Sequence, residues 1–223
     1  MCYVILMLFK YLSKKKEEKP ETGGIKNIIF DVGQVLVDYD WETYLDSFGF
    51  EPAKRERIAK ATFQSPVWDE RDRGLYEEDV YLKQFQELDP EDAEDIEKVI
   101  RGTGGTIHKR PYADTWVKYL KSKGYHVYIL SNYSSYMLDH TKKELTFRRE
   151  MDGEVFSCYA KQLKPDAEIY QIILNKYQLK PEECVFIDDR SENCRGAQEQ
   201  GIHTICFKDF KQVTADLEKL GVK

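Results

Sequence analysis

Short apolar runs that end in polar residues recur along the chain and predict buried parallel strands. These runs cover residues 27–30, 127–130, 184–187 and 203–207. Between them lie stretches that are typical of helices, at residues 113–123, 168–177 and 192–200. Strands that alternate with helices predict an α/β fold with a doubly wound parallel sheet, in which right-handed crossovers place helices on both faces.

Residues 41–108 depart from this alternation. The stretch is rich in charged residues, and apolar residues such as Leu45, Phe48, Leu82 and Phe85 stand at helical intervals. Glycines at 102, 104 and 105 mark its exit. We therefore expect a core domain formed by residues 25–40 and 109–223, and a small helical domain formed by residues 41–108.

The first 24 residues form a separate segment in which an apolar stretch precedes three lysines, Lys14 to Lys16. About 12 apolar residues are too few for a helix to cross a bilayer core of roughly 30 Å. A secretory signal has its positive charges before the apolar stretch, not after it. We expect a poorly ordered extension at residues 1–24, with a weak membrane-surface anchor as the alternative.

Composition narrows the classes of partner. The formal net charge of −6 argues against a nucleic-acid backbone as the main partner, whereas a bound metal ion could still attract a small phosphorylated metabolite. The five cysteines are odd in number and include no CxxC pair, which favours reduced thiols and a cytoplasmic protein. We expect a monomer or a weak homodimer that does not engage a membrane.

Three of the predicted strands end in residues that can carry chemistry: Asp31, Ser131 and the pair Asp188 and Asp189. In open α/β sheets the ligand crevice lies outside the carboxyl ends of the strands. We therefore expect these side chains to converge on one edge. Two adjacent carboxylates are costly unless a cation compensates them, so the aspartate pair indicates a magnesium site.

Taken one at a time, the candidate residues each have a functional and a structural interpretation. Asp31 could attack phosphorus or carbon, bind metal, or simply cap its strand. Ser131 and Asn132 could cradle a phosphate or cap a helix. Lys164, which precedes Pro165, could neutralise an anion or be an ordinary surface lysine.

Four sequence motifs together resemble the haloacid dehalogenase-like hydrolases, from about Lys26 to the C-terminus. They occur in the family's order: IIFDVGQVLVD, YILSN, LKPD and FIDDRSEN. The helical insertion resembles the cap of subfamily IA, in which the cap follows the first motif, and DVGQVLVDYD resembles the sugar-phosphate phosphatase-like branch. The resemblance implies a Rossmann-like core with a helical cap.

The resemblance also implies an activity and residue roles. It implies a magnesium-dependent phosphatase that hydrolyses a small, sugar phosphate-like metabolite through an aspartyl-phosphate intermediate. The implied roles are the nucleophile and a metal ligand (Asp31), a metal ligand through its carbonyl (Gly33), phosphoryl binding (Ser131 and Asn132), charge stabilisation (Lys164), a direct metal ligand (Asp189), a supporting ligand through water (Asp188) and a weaker supporting candidate (Asn193).

Gly33 departs from the family pattern, because many of its phosphatases carry a second aspartate there as general acid and base. Such help is typically worth about 10²–10⁴-fold in rate. We therefore expect either an easily expelled leaving group, or a proton relay through water or a residue of the cap.

Two other functions stay open at this point. The same aspartate could attack carbon in a metal-independent dehalogenase, or the chain could be a catalytically impaired binding or regulatory module. Within the insertion, the cluster of Trp68, Asp69, Arg71, Asp72 and Arg73 could contact a substrate, although solvated charges around one packed tryptophan are the more ordinary interpretation.

Overall fold

The computed structural model describes residues 24–223, so the predictions for the N-terminal extension concern residues outside the described part, apart from Gly24. Its main sheet has five parallel strands in the order β5-β4-β1-β6-β7. The strands are β1 (Asn27–Phe30), β4 (His126–Ser131), β5 (Gly153–Phe156), β6 (Cys184–Asp188) and β7 (His203–Cys206). The predicted parallel α/β fold is confirmed.

Strand β1 lies in the centre of the sheet, and all four of its residues are buried. Its register pairs Phe30 with Ile129 of β4 on one side and with Ile187 of β6 on the other. The residues that follow these three strands therefore lie side by side at the carboxyl edge of the sheet.

Helices cover both faces of the sheet. One face packs against α6 (Ala113–Ser122) and α11 (Phe210–Lys219), and the other against α9 (Ala167–Tyr177) and α10 (Ser191–Glu199). The short helices α7 (Ser135–His140) and α8 (Ser157–Ala160) follow β4 and β5 directly. Alternate residues of β1 enter opposite cores, Phe30 with Trp116 and Ile29 with Tyr170, as the two-residue period of a strand requires.

Five helices lie between β1 and β4 along the chain. They share a hydrophobic cluster of their own that includes Leu45, Leu82 and Phe85. These are α1 (Trp41–Asp46), α2 (Pro52–Ala61), α3 (Pro66–Arg73), α4 (Glu78–Leu88) and α5 (Ala93–Arg101). We call residues 41–101 the helical insertion.

A two-stranded antiparallel ribbon joins the insertion to the core. It consists of β2 (Val37–Tyr39) and β3 (Ile107–Lys109), with Tyr39 opposite Ile107. Across residues 24–223, no helix combines the length and the apolar character that crossing a membrane requires.

Candidate active site

Asp31 stands at the carboxyl end of β1, and the loop after it turns sharply. The Asp31 N–H donates to the carbonyl of Ile187 at 2.9 Å, which ties the residue to β6. Gln34 has a φ of 56°, in the left-handed region that non-glycine residues rarely adopt. Both polar atoms of its side-chain amide form hydrogen bonds: Nε2 donates to the Tyr39 carbonyl at 2.9 Å, and Oε1 accepts from Arg110 at 3.2 Å. The loop is thus fixed so that Gly33 faces the same cavity as Asp31.

Lys164 is buried, not exposed as an ordinary surface lysine would be. Its Nζ lies 2.8 Å from Asp31 Oδ1 and 2.6 Å from Asp188 Oδ2. Asn132 holds the lysine's backbone from both sides, since its Oδ1 accepts from the Lys164 N–H (2.9 Å) and its Nδ2 donates to the Lys164 carbonyl (3.1 Å). The side chain of Asn132 therefore positions the lysine. The backbone N–H and second amide hydrogen of Asn132 have no partner within residues 24–223 and can bind a ligand.

The carboxylate oxygens of Asp31, Asp188 and Asp189 lie within 4.8 Å of one another. Asp188 is fully buried and heavily bonded: besides Lys164, it accepts from Asn193 Nδ2 at 3.0 and 3.1 Å, and from the Arg190 N–H at 2.8 Å. Asp189 is less buried and faces the cavity. The two neighbours are thus in different environments, and Asp189 is the one open to a ligand.

The charges of this cluster do not balance. Burial raises the pKa of Asp31. The ammonium group of Lys164 opposes this rise, and the charge of Asp188 adds to it. Burial, together with the charges of Asp31 and Asp188, raises the pKa of Asp189 to about 6. Burial alone would lower the pKa of Lys164, but its two carboxylate neighbours raise it. One ammonium faces three carboxylates, so the site favours a further cation.

The donor set fits magnesium. Mg²⁺ prefers a few carboxylates and other oxygen ligands, and it retains several waters. Asp31 and Asp189 offer carboxylate oxygens beside the cavity, and Gly33 also lines it. The Oδ1 atom of Asn193 is buried without a hydrogen-bond partner in residues 24–223, which leaves an acceptor free for a metal-bound water.

A cavity of about 400 Å³ opens over this cluster. The core contributes the charged and polar floor, and Tyr133, Ser134 and Met137 follow from the β4 loop and α7. The ribbon adds Tyr39 and Ile107, and the insertion adds Phe63, Trp68, Asp69 and Asp72. Sequence reasoning did not single out Tyr39, Phe63, Ile107 or Met137, because apolar residues of this kind have no local motif that distinguishes a cavity wall from a core.

The structure brings the predicted site residues together at one edge. Ser131 is buried at the carboxyl end of β4, the strand next to β1. The charged cluster of the insertion is divided. Trp68, Asp69 and Asp72 line the cavity, whereas Arg71 is buried behind it in a two-bond pair with Glu78, at 2.6 and 3.0 Å. The expectation of a solvated charge is wrong for Arg71. Its guanidinium group is paired with Glu78 and lies over the rings of Trp68 and Tyr136, so these side chains take the place of water around it.

The five-stranded parallel sheet and the acidic centre at its carboxyl edge define an enzyme of the α/β class. The chain belongs to the haloacid dehalogenase-like hydrolases, whose family profile matches residues 25–201. It is thus a hydrolase.

Two curated relatives illustrate the range of this family. The chain is 27% identical over 191 residues to a D-ribitol-5-phosphate phosphatase of Bacteroides thetaiotaomicron, covering 81% of this chain and 90% of that protein. It is 25% identical over 195 residues to the flavin mononucleotide hydrolase 1 of Arabidopsis thaliana, covering 87% and 77% of the two chains.

A solved structure shares the fold. The structure of a HAD family enzyme from Bacteroides thetaiotaomicron, in complex with magnesium and inorganic phosphate, superposes with a TM-score of 0.68 at 23% identity. The match covers 85% of this chain and 99% of that one.

Proposed function

We propose that this chain is a magnesium-dependent phosphatase that hydrolyses a small phosphorylated metabolite through an aspartyl-phosphate on Asp31. The observation that carries the proposal is the joining of Asp31, Lys164 and the two aspartates in one buried cluster beneath a cavity. A nucleophilic carboxylate needs nearby positive charge before a phosphate dianion can approach it, and this cluster provides one cation and a site for another.

In the first step an oxygen of Asp31 attacks phosphorus, and the bond from phosphorus to the leaving oxygen breaks. Lys164, 2.8 Å from Asp31, stabilises the charge on the phosphoryl oxygens, and Ser131 and the backbone N–H of Asn132 bind those oxygens. In the second step water cleaves the acyl phosphate and releases inorganic phosphate. Magnesium held by Asp31, Asp189 and the Gly33 carbonyl, with Asp188 in support, would neutralise charge on the transferring group.

The cavity supports a neutral, hydroxyl-bearing leaving group. The insertion lines it with two aromatic rings and two carboxylates, Phe63, Trp68, Asp69 and Asp72, and none of these residues is basic. Carboxylates accept hydrogen bonds from hydroxyl groups, and aromatic faces pack against the apolar faces of a sugar ring. The two carboxylates of this wall disfavour a second phosphate beside them, and among the described residues the one basic residue that lines the cavity besides Lys164 is Arg190 of the core. We propose that the insertion acts as a cap that selects monophosphates of sugar-like compounds.

The test is release of phosphate from p-nitrophenyl phosphate, and from hexose 1- and 6-phosphates, with magnesium and with EDTA. We expect turnover that requires magnesium and is abolished in Asp31→Asn. Asp216→Asn, which changes a carboxylate of α11 outside the cavity lining, is the matched control and should retain the parent rate.

Two outcomes would replace the proposal. Halide release from a 2-haloacid that persists in EDTA would identify a dehalogenase. Binding of phosphorylated compounds without turnover by the parent protein would identify a binding module.

A further inference from the structure

The loop after Asp31 offers no general acid, because the position two residues on is Gly33. A poor leaving group, such as the alkoxide of a sugar, needs a proton as it departs. We propose that Asp72 of the helical insertion supplies this proton and later accepts one from the attacking water. This inference rests on the phosphatase function proposed above.

Asp72 lies at the C-terminal end of α3 and lines the same cavity as Asp31. Its backbone is fixed to the core: the Asp72 carbonyl accepts from Ser157 Oγ at 2.6 Å, and the same hydroxyl accepts from the Tyr133 N–H at 2.9 Å. An insertion residue is thus held against the loop that follows β4, beside Asn132.

The C-terminal end of α3 packs closely against the core. The helix ends at Gly74, whose φ is 71°, and a Cβ there would come within 2.9 Å of the Cys158 Cα. Lys161 donates to the Gly74 carbonyl. Asp72 therefore has a defined place over the cavity while the insertion is docked, as a proton donor requires.

The surroundings of Asp72 keep its carboxyl group protonated in part near neutrality. Burial raises the pKa of Asp72 to about 7, the charge of Arg71 opposes this, and the charges of Asp69 and Asp31 reinforce it. Arg71 is engaged by Glu78 and so is only partly available to Asp72. The titratable groups that face Asp72 come from every neighbouring element: Asp69 and Arg71 of α3, Asp31 after β1, Tyr39 of the ribbon, Tyr133 after β4, and Cys158 of α8.

The proton balance closes over the two steps. When Asp31 attacks phosphorus, the electron pair of the breaking bond goes to the leaving oxygen, which takes the proton of Asp72 and departs as an alcohol. Asp72, now a carboxylate, takes a proton from water as the water oxygen bonds to phosphorus. The bond from phosphorus to Asp31 breaks, which restores both aspartates to their starting states.

The alternative role for Asp72 is purely structural, as a residue that helps to dock α3 on the core. Loss of such a role would slow the hydrolysis of every ester alike, or would only lower stability. A general acid matters most for esters whose leaving group cannot depart as an anion, so the leaving-group dependence distinguishes the two roles.

The experiment compares the parent, Asp72→Asn, Asp69→Asn, Gly33→Asp and the double variant of Asp72→Asn with Gly33→Asp. Each is assayed with magnesium on p-nitrophenyl phosphate, phenyl phosphate and an alkyl phosphate, and thermal unfolding is followed in parallel. Asp69→Asn is the matched control, since it removes a second carboxylate of the same cavity wall. Position 33 has room for the rescue, because a Cβ there would meet Asp31 Oδ2 at an ordinary 3.9 Å.

We expect Asp72→Asn to slow alkyl phosphate hydrolysis by about 10²–10⁴-fold and p-nitrophenyl phosphate hydrolysis far less. Gly33→Asp should restore the alkyl phosphate rate in the double variant, and Asp69→Asn should change KM without changing the leaving-group dependence. An equal loss on all three esters, an unchanged alkyl rate, or a failure of the rescue would overturn the assignment of Asp72. A parent protein inactive on every ester would instead refute the phosphatase function.

Discussion

Replacing Lys164 by methionine removes the ammonium group from between two buried carboxylates and keeps most of the side chain's volume. The lysine is buried and bonded to Asp31 at 2.8 Å and Asp188 at 2.6 Å. Loss of one partner from a buried ion pair typically costs about 3–5 kcal/mol, because the remaining charge is left uncompensated. Asp188 would keep its bonds from Asn193 and the Arg190 N–H, so the cost falls mainly on Asp31.

We expect Lys164→Met to lower the free energy of unfolding by about 3 kcal/mol in EDTA, at the low end of that range. Urea unfolding at pH 7.5 measures it, with Lys180→Met as the control for an exposed lysine, expected to change stability by less than about 0.5 kcal/mol. Adding magnesium, or the second change Asp31→Asn, should recover part of the loss, since each removes the uncompensated charge. If Lys164→Met unfolds within 1 kcal/mol of the parent in EDTA, the electrostatic argument for this site is wrong.

Three further predictions test other parts of the structure. Gly74→Ala should destabilise the protein and weaken the packing of α3 against the core, because the new Cβ would lie 2.9 Å from Cys158 and the residue has a positive φ. An unchanged Tm would contradict this. Asp72→Asn should raise the Tm more at pH 8 than at pH 5, since the raised pKa of about 7 means that the parent loses stability as the pH rises from the ordinary titration range of a carboxyl group to about 7; equal shifts at both pH values would refute it. Tyr170→Phe removes a buried bond to the Asn193 carbonyl (2.8 Å) and should cost about 1 kcal/mol in urea unfolding, more than a surface tyrosine such as Tyr119.

The central strands could be predicted from the sequence because each is a short apolar run buried on both faces. Strand β5 could not, since Gly153–Phe156 is short, lies at the sheet edge and includes a charged residue. It is specified by tertiary contacts instead: Gly153 leaves no room for a side chain beside Tyr177, and the Tyr177 hydroxyl accepts from the Glu154 N–H at 2.8 Å. The ribbon strands were also missed, because residues 37–39 and 107–109 pair across the whole insertion.

The site was predictable to the extent that it depends on strand ends. Asp31, Ser131, Asp188 and Asp189 follow from the rule that ligands bind at the carboxyl edge. The burial of Lys164 does not follow from any local pattern, because its partners are far away in the sequence and meet it only in the folded chain. The same reason kept the sequence from distinguishing Asp72 within the charged cluster of residues 68–73, because its position over the cavity depends on how α3 docks against Ser157.

The antiparallel pairing of Tyr39 with Ile107 makes residues 40–106 leave and return to the core at neighbouring points. A segment tethered in this way can be exchanged for another of different length or shape without altering the strand order or the acidic edge beneath it. Substrate preference and bond-breaking chemistry can then diverge separately during evolution. The same junction offers protein engineers a place to graft new specificities onto an unchanged catalytic floor.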